Sequence, residues 1–221
     1  MSEMLECIEI ETGPTPKSSV IWMHGLGADG RDFVPIVDEL ELPPTAIRFV
    51  FPDAPMRPVT INGGYVMRAW YDIVSTDLAR REDEKGLRES GSQIEALIAR
   101  EQLRGSAPER IVLAGFSQGG AIALFAGLRF QKRLAGIMAL STYAPMLDKL
   151  TAERHASNAV VPILMAHGTQ DPVVTYDRAS ASGNALRKLG YQIEWREYPM
   201  AHSVCIEEIR DISAWLARVL A

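Results

Sequence analysis

Gly115-Phe116-Ser117-Gln118-Gly119 sets a serine between two glycines in the G-x-S-x-G spacing of a serine nucleophile. Three fixed positions of common residue types recur by accident in about one protein in fifteen at ordinary Gly and Ser usage. The surroundings therefore decide. Directly before the pentapeptide, Arg110 to Ala114 is a β-rich run, and directly after it, Gly120 to Ala126 reads as a helix. Strand, sharp turn and helix in succession lift a serine hydroxyl clear of a sheet. They also aim the N–H groups of a helix start at a developing oxyanion. Glycines two before and two after the serine let neighbouring backbone approach without a Cβ in the way.

A serine hydroxyl is a weak nucleophile without a base, and the base needs an orienting acid. On this kind of turn the chain order is Ser, then Asp or Glu, then His. Of His24, His155, His167 and His202, only His202 comes after both Ser117 and an acid that follows a strand. It closes Tyr198-Pro199-Met200-Ala201-His202, between the last strand candidate and the last helix candidate. The acid is Asp171 in His167-Gly168-Thr169-Gln170-Asp171-Pro172, a few residues past the run Val161 to Met165. Loops at the carboxyl ends of parallel strands are where such sheets hold their ligands. Asp177 ranks second, because it falls in the helical pattern that follows.

An oxyanion needs two donors. One is the backbone N–H of Gln118, and the other belongs to an early loop after a strand. Val20 to Met23 followed by His24-Gly25-Leu26-Gly27 supplies that loop, with Leu26 N–H as the donor and His24 as a brace. The same stretch carries a rival pattern. Gly25-Leu26-Gly27-Ala28-Asp29-Gly30 is a formal G-x-G-x-x-G after a strand, and Asp53 follows the next strand at about the right distance for a dinucleotide ribose. Against it, Arg31, Asp32 and Pro35 give no clear helix opening at Gly30. The nucleotide-cofactor oxidoreductase it implies also leaves Ser117, Asp171 and His202 without work.

These residues need a scaffold that brings strand ends together. The strand candidates are Val20–Met23, Ile47–Phe51, Arg110–Ala114, Gly136–Leu140, Val161–Met165 and Gln192–Tyr198, mostly apolar on both faces, as in a parallel sheet covered by helices. Between them run helical stripes. One holds Leu87, Ile94, Leu97 and Ile98. Another holds Ala179, Leu186 and Leu189 and stops at Gly190. A third holds Cys205, Ile209, Ile212, Leu216 and Val219, with Ser203 as its expected cap. The alternation predicts a mostly parallel α/β sheet with helices on both faces. Ile61-Asn62-Gly63-Gly64-Tyr65 predicts a small hairpin with a type I′ turn, and the charge run Asp77 to Lys85 predicts a solvated approach to a helix.

The 221 residues suit one domain, and 47% hydrophobic with 23% charged residues is ordinary globular composition. A net charge of −5 speaks against nucleic acid as a partner. Two cysteines, Cys7 and Cys205, exclude a disulfide framework or a Cys-rich zinc site. The acidic start MSEMLECIEI has no basic leader, and no stretch approaches a spanning helix, so a cytoplasmic protein without stable membrane insertion is expected.

Taken together, the chain resembles the phospholipase/carboxylesterase family of α/β hydrolases, which includes acyl-protein thioesterases. The resemblance is carried by His24 to Gly30, Phe51-Pro52-Asp53-Ala54-Pro55, Ala69-Trp70-Tyr71-Asp72, Gly115 to Gly120, His167 to Asp171, and His202. It implies an α/β-hydrolase fold over residues 1–221 with Ser117, Asp171 and His202 as catalytic set, Leu26 and Gln118 as oxyanion donors, and no metal or organic cofactor. It implies a carboxylic ester hydrolase for short- to medium-chain acyl esters, with acyl-protein thioesterase or lysophospholipase as alternatives. The substrate would be a small-molecule or lipid ester or an acylated protein. The resemblance also places Trp70 near a substrate groove formed by residues 52 to 80, where the plainer reading is core packing. Family members often carry Gly before the histidine, where this chain has Ala201. Only about twenty residues separate Ser141 from Val161, too few for a cap domain, so an open site without interfacial activation is expected. A symmetric dimer is the default assembly.

Overall fold

The structure is a computed structural model describing residues 4–42, 44–74 and 82–221. In chain order the elements are β1 (Cys7–Glu11), β2 (Ser18–Met23), α1 (Ile36–Glu39), β3 (Ile47–Pro52), β4 (Met56–Val59), β5 (Tyr65–Arg68), α2 (Glu84–Leu103), β6 (Ile111–Phe116), α3 (Gln118–Arg129), β7 (Gly136–Leu140), α4 (Leu147–Glu153), β8 (Ile163–Gly168), α5 (Tyr176–Lys188), β9 (Ile193–Tyr198) and α6 (Ile206–Val219).

Seven strands form the central sheet in the order β1-β3-β2-β6-β7-β8-β9. All neighbours are parallel except β1, which runs antiparallel to β3. The continuous apolar runs read from the sequence are the strands buried on both faces: every residue of β2, β3, β7 and β8 is buried. Alternate side chains of one strand feed opposite layers. Ile21 and Met23 pack with residues of α2, α3 and α5, while Val20 and Trp22 pack with residues of α1 and α6. The mostly parallel sheet between helices is thus the α/β-hydrolase arrangement.

Four local expectations are corrected. β1 was not anticipated, although Cys7-Ile8-Glu9-Ile10-Glu11 alternates as a half-buried edge strand does. β8 starts at Ile163 rather than Val161, because Pro162 has no N–H to give the ladder. The hairpin exists as β4 and β5, but its left-handed residues are Gly63 and Gly64 (φ 67° and 79°) after a 3₁₀ turn at Thr60–Asn62. A type I′ turn would have made Asn62 left-handed. Cys205, not Ser203, caps α6, and it does so in extended conformation without a side-chain bond. Of the charge run Asp77 to Lys85, the part from 77 to 81 lies outside the described residues; Glu84 and Lys85 open α2. No helix among the described residues is long and apolar enough to cross a membrane.

Candidate active site

β6 delivers the serine. Ser117 has φ 54° and ψ −119°, a conformation that is sparsely populated for any residue with a Cβ. Its N–H donates to Leu140 O at 2.8 Å, and its carbonyl accepts from Thr142 Oγ1 at 2.6 Å and from Ala121 N–H at 3.1 Å. The strained bend is therefore held from β7 and from α3. The flanking glycines are there for contact: a Cβ on Gly115 would lie 2.3 Å from Gly119 backbone, and one on Gly119 would lie 2.3 Å from Met23 O.

The loop after β8 carries Asp171. Asp171 is buried, and its Oδ1 accepts the N–H groups of Val173 and Val174 at 2.8 and 2.9 Å. Its Oδ2 stands 2.7 Å from His202 Nδ1. His167, also fully buried, places Nε2 2.7 Å from Val174 O and 3.4 Å from Asp171 Oδ2, and burial pushes its pKa down. Asp177 instead lies exposed in the first turn of α5.

The loop after β9 carries His202. Thr169 N–H donates to Tyr198 O and Gln170 N–H to Met200 O, which ties the acid loop to the histidine loop. Gly168 permits the crossing, since a Cβ there would meet Met200 O at 2.3 Å. Ala201 takes no positive φ, so its Cβ is unstrained. With Nδ1–H donated to Asp171, His202 keeps Nε2 free as the basic nitrogen. Its ring packs over Phe116, the neighbour of Ser117, with centroids 4.8 Å apart. In this conformation Ser117 Oγ makes no hydrogen bond among the described residues, so the hydroxyl–imidazole link is the part of the relay not formed. That link is commonly long without substrate and tightens on binding.

The loop after β2 lies directly on the serine: a Cβ on Gly25 would meet Ser117 Cβ at 3.5 Å. Leu26 N–H has no partner among the described residues, and Gln118, first in α3, has no intrahelical acceptor for its own. His24 braces the loop as expected. Its Nδ1 donates to Gly25 O at 2.7 Å, its Nε2 accepts from Ala54 N–H at 3.0 Å, and burial keeps it neutral by lowering its pKa. Asp53 binds Gly30 N–H at 2.7 Å and Arg68 at 2.8 Å. Those contacts use up the carboxylate that a dinucleotide would need, and a turn rather than a helix follows Gly30. The glycine pattern is thus structural.

Trp70 is not on a groove: it is 0% exposed, which puts its ring out of a substrate's reach. Its indole N–H donates to His24 O at 2.9 Å. Residues 75 to 80 of the anticipated groove lie outside the described residues. Sequence reasoning also missed Thr142, Arg68 and the side chain of Gln118, whose contacts join segments far apart in the chain.

Comparison with known proteins agrees with this architecture. A family model described as phospholipase/carboxylesterase matches residues 5–220. The chain is 38% identical to acyl-protein thioesterase 1 of Mycosarcoma maydis, covering 96% of this chain and 95% of that one. It is 38% identical to acyl-protein thioesterase 1 of Neurospora crassa over 92% and 87% of the two chains. The crystal structure of Zea mays acyl-protein thioesterase 2 superposes with a TM-score of 0.87 at 26% identity, covering 98% of this chain and 99% of the other.

Proposed function

The chain belongs to the phospholipase/carboxylesterase family of α/β hydrolases and is a serine hydrolase acting on ester bonds; from that premise we propose that Ser117, His202 and Asp171 carry out acyl transfer and that the preferred substrate is an acyl thioester borne by a protein cysteine. Ser117 Oγ attacks the carbonyl carbon while His202 Nε2 takes its proton. Asp171 holds the ring through Nδ1 and stabilises the imidazolium. The N–H groups of Leu26 and Gln118 receive the oxyanion. The thiol departs with the proton from His202, and water activated by the same nitrogen releases the acid.

The catalytic assignment rests on one observation above others: the 2.7 Å contact between Asp171 and His202, whose ring packs on Phe116 beside the strained Ser117. The substrate reading rests on relatives named acyl-protein thioesterase that align with nearly the whole chain. Between β7 and β8 there is only α4, seven residues long, and a 3₁₀ turn at Ala156–Asn158. That supports a single hydrolase domain with an open site, able to admit a bulky leaving group and needing no lipid interface. Carboxylic esters of short to medium chain are the second reading, because the proton that His202 delivers to a departing thiol serves a departing alcohol equally.

The test is a panel of acyl esters and acyl-cysteine peptides of graded chain length, with Ser117→Ala as control. Wild type should hydrolyse the acylated peptides with the larger kcat/KM, and the variant should lose several decades of kcat. A fluorophosphonate should label wild type and spare Ser117→Ala. Equal turnover by the two proteins removes Ser117 from the mechanism; oxygen-ester turnover alone moves the second reading to first place.

A further inference from the structure

The two proposed oxyanion donors sit on different elements: Leu26 on the loop after β2, Gln118 at the start of α3. An oxyanion hole works only if its donors keep the separation that the transition state requires. One chain of hydrogen bonds spans the gap. Gln118 Oε1 accepts from Trp70 N–H at 2.7 Å, and Gln118 Nε2 donates to Tyr71 O at 2.7 Å. Both polar atoms of the amide are thus engaged by two consecutive residues. Trp70 then turns its indole N–H to His24 O at 2.9 Å, the carbonyl of the peptide plane that leads into Gly25. The Trp70 carbonyl is fixed from the other side by Ser90 Oγ. Trp70, Gln118, His24 and Ser90 are all buried, between 0 and 3% exposed.

Resting on the proposed role of Leu26 and Gln118 as donors, we infer that Trp70 is a positioning residue: with the Gln118 side chain it forms a rigid bracket that sets the distance between the two N–H groups. Gln118 acts twice, giving its main-chain N–H to the oxyanion and using its side chain to locate the other donor. The bracket is dry, so each bond resists displacement by water more than it would at a surface. A donor displaced by even a fraction of an ångström loses transition-state stabilisation while ground-state binding persists. The signature is therefore a fall in kcat without a matching rise in KM.

The decisive comparison pairs Trp70→Phe with Trp22→Phe. Both remove an indole from a buried site, and Trp22 lies on β2, two residues from His24, but its Nε1 has no partner among the described residues. Turnover of an aryl ester and affinity for a trifluoromethyl ketone, whose hemiketal oxygen occupies the oxyanion position, are measured for each. Trp70→Phe should lower kcat about 10- to 100-fold, short of the loss on deleting a donor outright. Ketone affinity should weaken in proportion and KM should change less than about twofold. Trp22→Phe should leave kcat and ketone affinity within about threefold of wild type. Equal losses in the two variants would reduce Trp70 to a packing residue, as would wild-type kcat in Trp70→Phe. Should Trp70→Phe fail to fold, Gln118→Met breaks the bracket at its other end and is judged by the same ratio of kcat to ketone affinity. Fluorophosphonate labelling of wild type, run alongside, keeps the two questions apart. Absence of label overturns the role of Ser117, whereas label with unchanged variant kinetics overturns the bracket alone.

Discussion

Gly119 stands so close to Met23 that a Cβ on the glycine would fall 2.3 Å from the Met23 carbonyl oxygen and 2.6 Å from that of His24. The start of α3 is therefore packed against the end of β2, the strand that leads into the loop holding Leu26. Backbone cannot yield as a side-chain tip can. Gly119→Ala must push α3 away from β2, at about 2–3 kcal/mol, the upper range for overpacking. It should also lower kcat at least about tenfold by parting Gln118 from Leu26. Gly183→Ala in α5 is the control. There the new methyl meets Trp195 at 3.4 Å, ordinary contact, and the gain in helix propensity should leave stability equal or slightly higher. Urea denaturation and aryl-ester kinetics on both variants check this. A Gly119→Ala protein as stable and active as wild type would contradict the close approach.

Asp171→Asn separates orientation from charge. Asn keeps an oxygen for the Val173 and Val174 N–H groups, so the turn should survive and the melting temperature should move little. The atom facing His202 Nδ1 becomes an NH₂, which can only donate. The ring must then carry its proton on Nε2, where it cannot act as a base. The expected loss is about 10³- to 10⁴-fold in kcat with KM nearly unchanged, as in other relays of this type. A loss smaller than tenfold would show that His202 does not depend on that carboxylate.

How much of this was legible in the sequence depended on whether a feature is local. The strand, turn and helix around Ser117 lie within about twenty consecutive residues, and their pattern is written in apolar runs and glycines. The Asp171–His202 contact could be anticipated because chain order is itself the signal. Strand β1 alternates, but its face is only half-buried, and its glutamates, with Glu6 three within six residues, make it read as an acidic surface segment. Those glutamates meet arginines on neighbouring elements, Glu9 with Arg100 and Arg104, Glu11 with Arg48. Trp70 was drawn toward a groove because a tryptophan beside a motif suits either a ligand or a core. Its indole bond to a carbonyl 46 positions away decides for the core, and no spacing rule encodes that bond. The Asp53–Arg68 pair and the Gln118 side chain belong to the same class: tertiary partners known only once the loops are folded.

Backbone strain at Ser117 makes a prediction about stability in which activity plays no part. Ser117→Ala and Ser117→Gly both delete the proposed nucleophile, but only glycine takes φ 54°, ψ −119° without steric penalty. Strain of this kind is worth about 1–3 kcal/mol, and the extra freedom of an unfolded glycine returns roughly 0.5–1 kcal/mol of it. Ser117→Gly should therefore exceed Ser117→Ala by about 1 kcal/mol, or about 2–4 °C in melting temperature for a chain of this size. Calorimetry on the two variants is sufficient. If Ser117→Ala melts at the same temperature or higher, the bend is not strained.

Glu208, in the first turn of α6, is the last group to make a measurable demand. It is fully buried, and neither carboxylate oxygen finds a hydrogen-bond partner among the described residues. Burial pushes its pKa up to about 8 against the opposing pull of the nearby Cys205 main-chain N–H, and the negative charge of Asp211 adds to the rise. Tyr198 and Cys205 complete its titratable surroundings. The folded protein thus keeps a proton that the unfolded chain releases near the ordinary carboxylate range, about 4.3. Above that range the unfolded state binds fewer protons than the folded one. Stability from this group must then fall as pH rises, until the folded carboxyl itself ionises. Glu208→Gln mimics the protonated acid and removes the decline. Near pH 4 the variant and wild type should have similar urea midpoints. Near pH 8 the variant should be more stable by a few kcal/mol, at about 1.4 kcal/mol for each unit of displacement. Parallel stability curves for the two proteins across that interval would mean that Glu208 is ionised in the fold and finds a partner there.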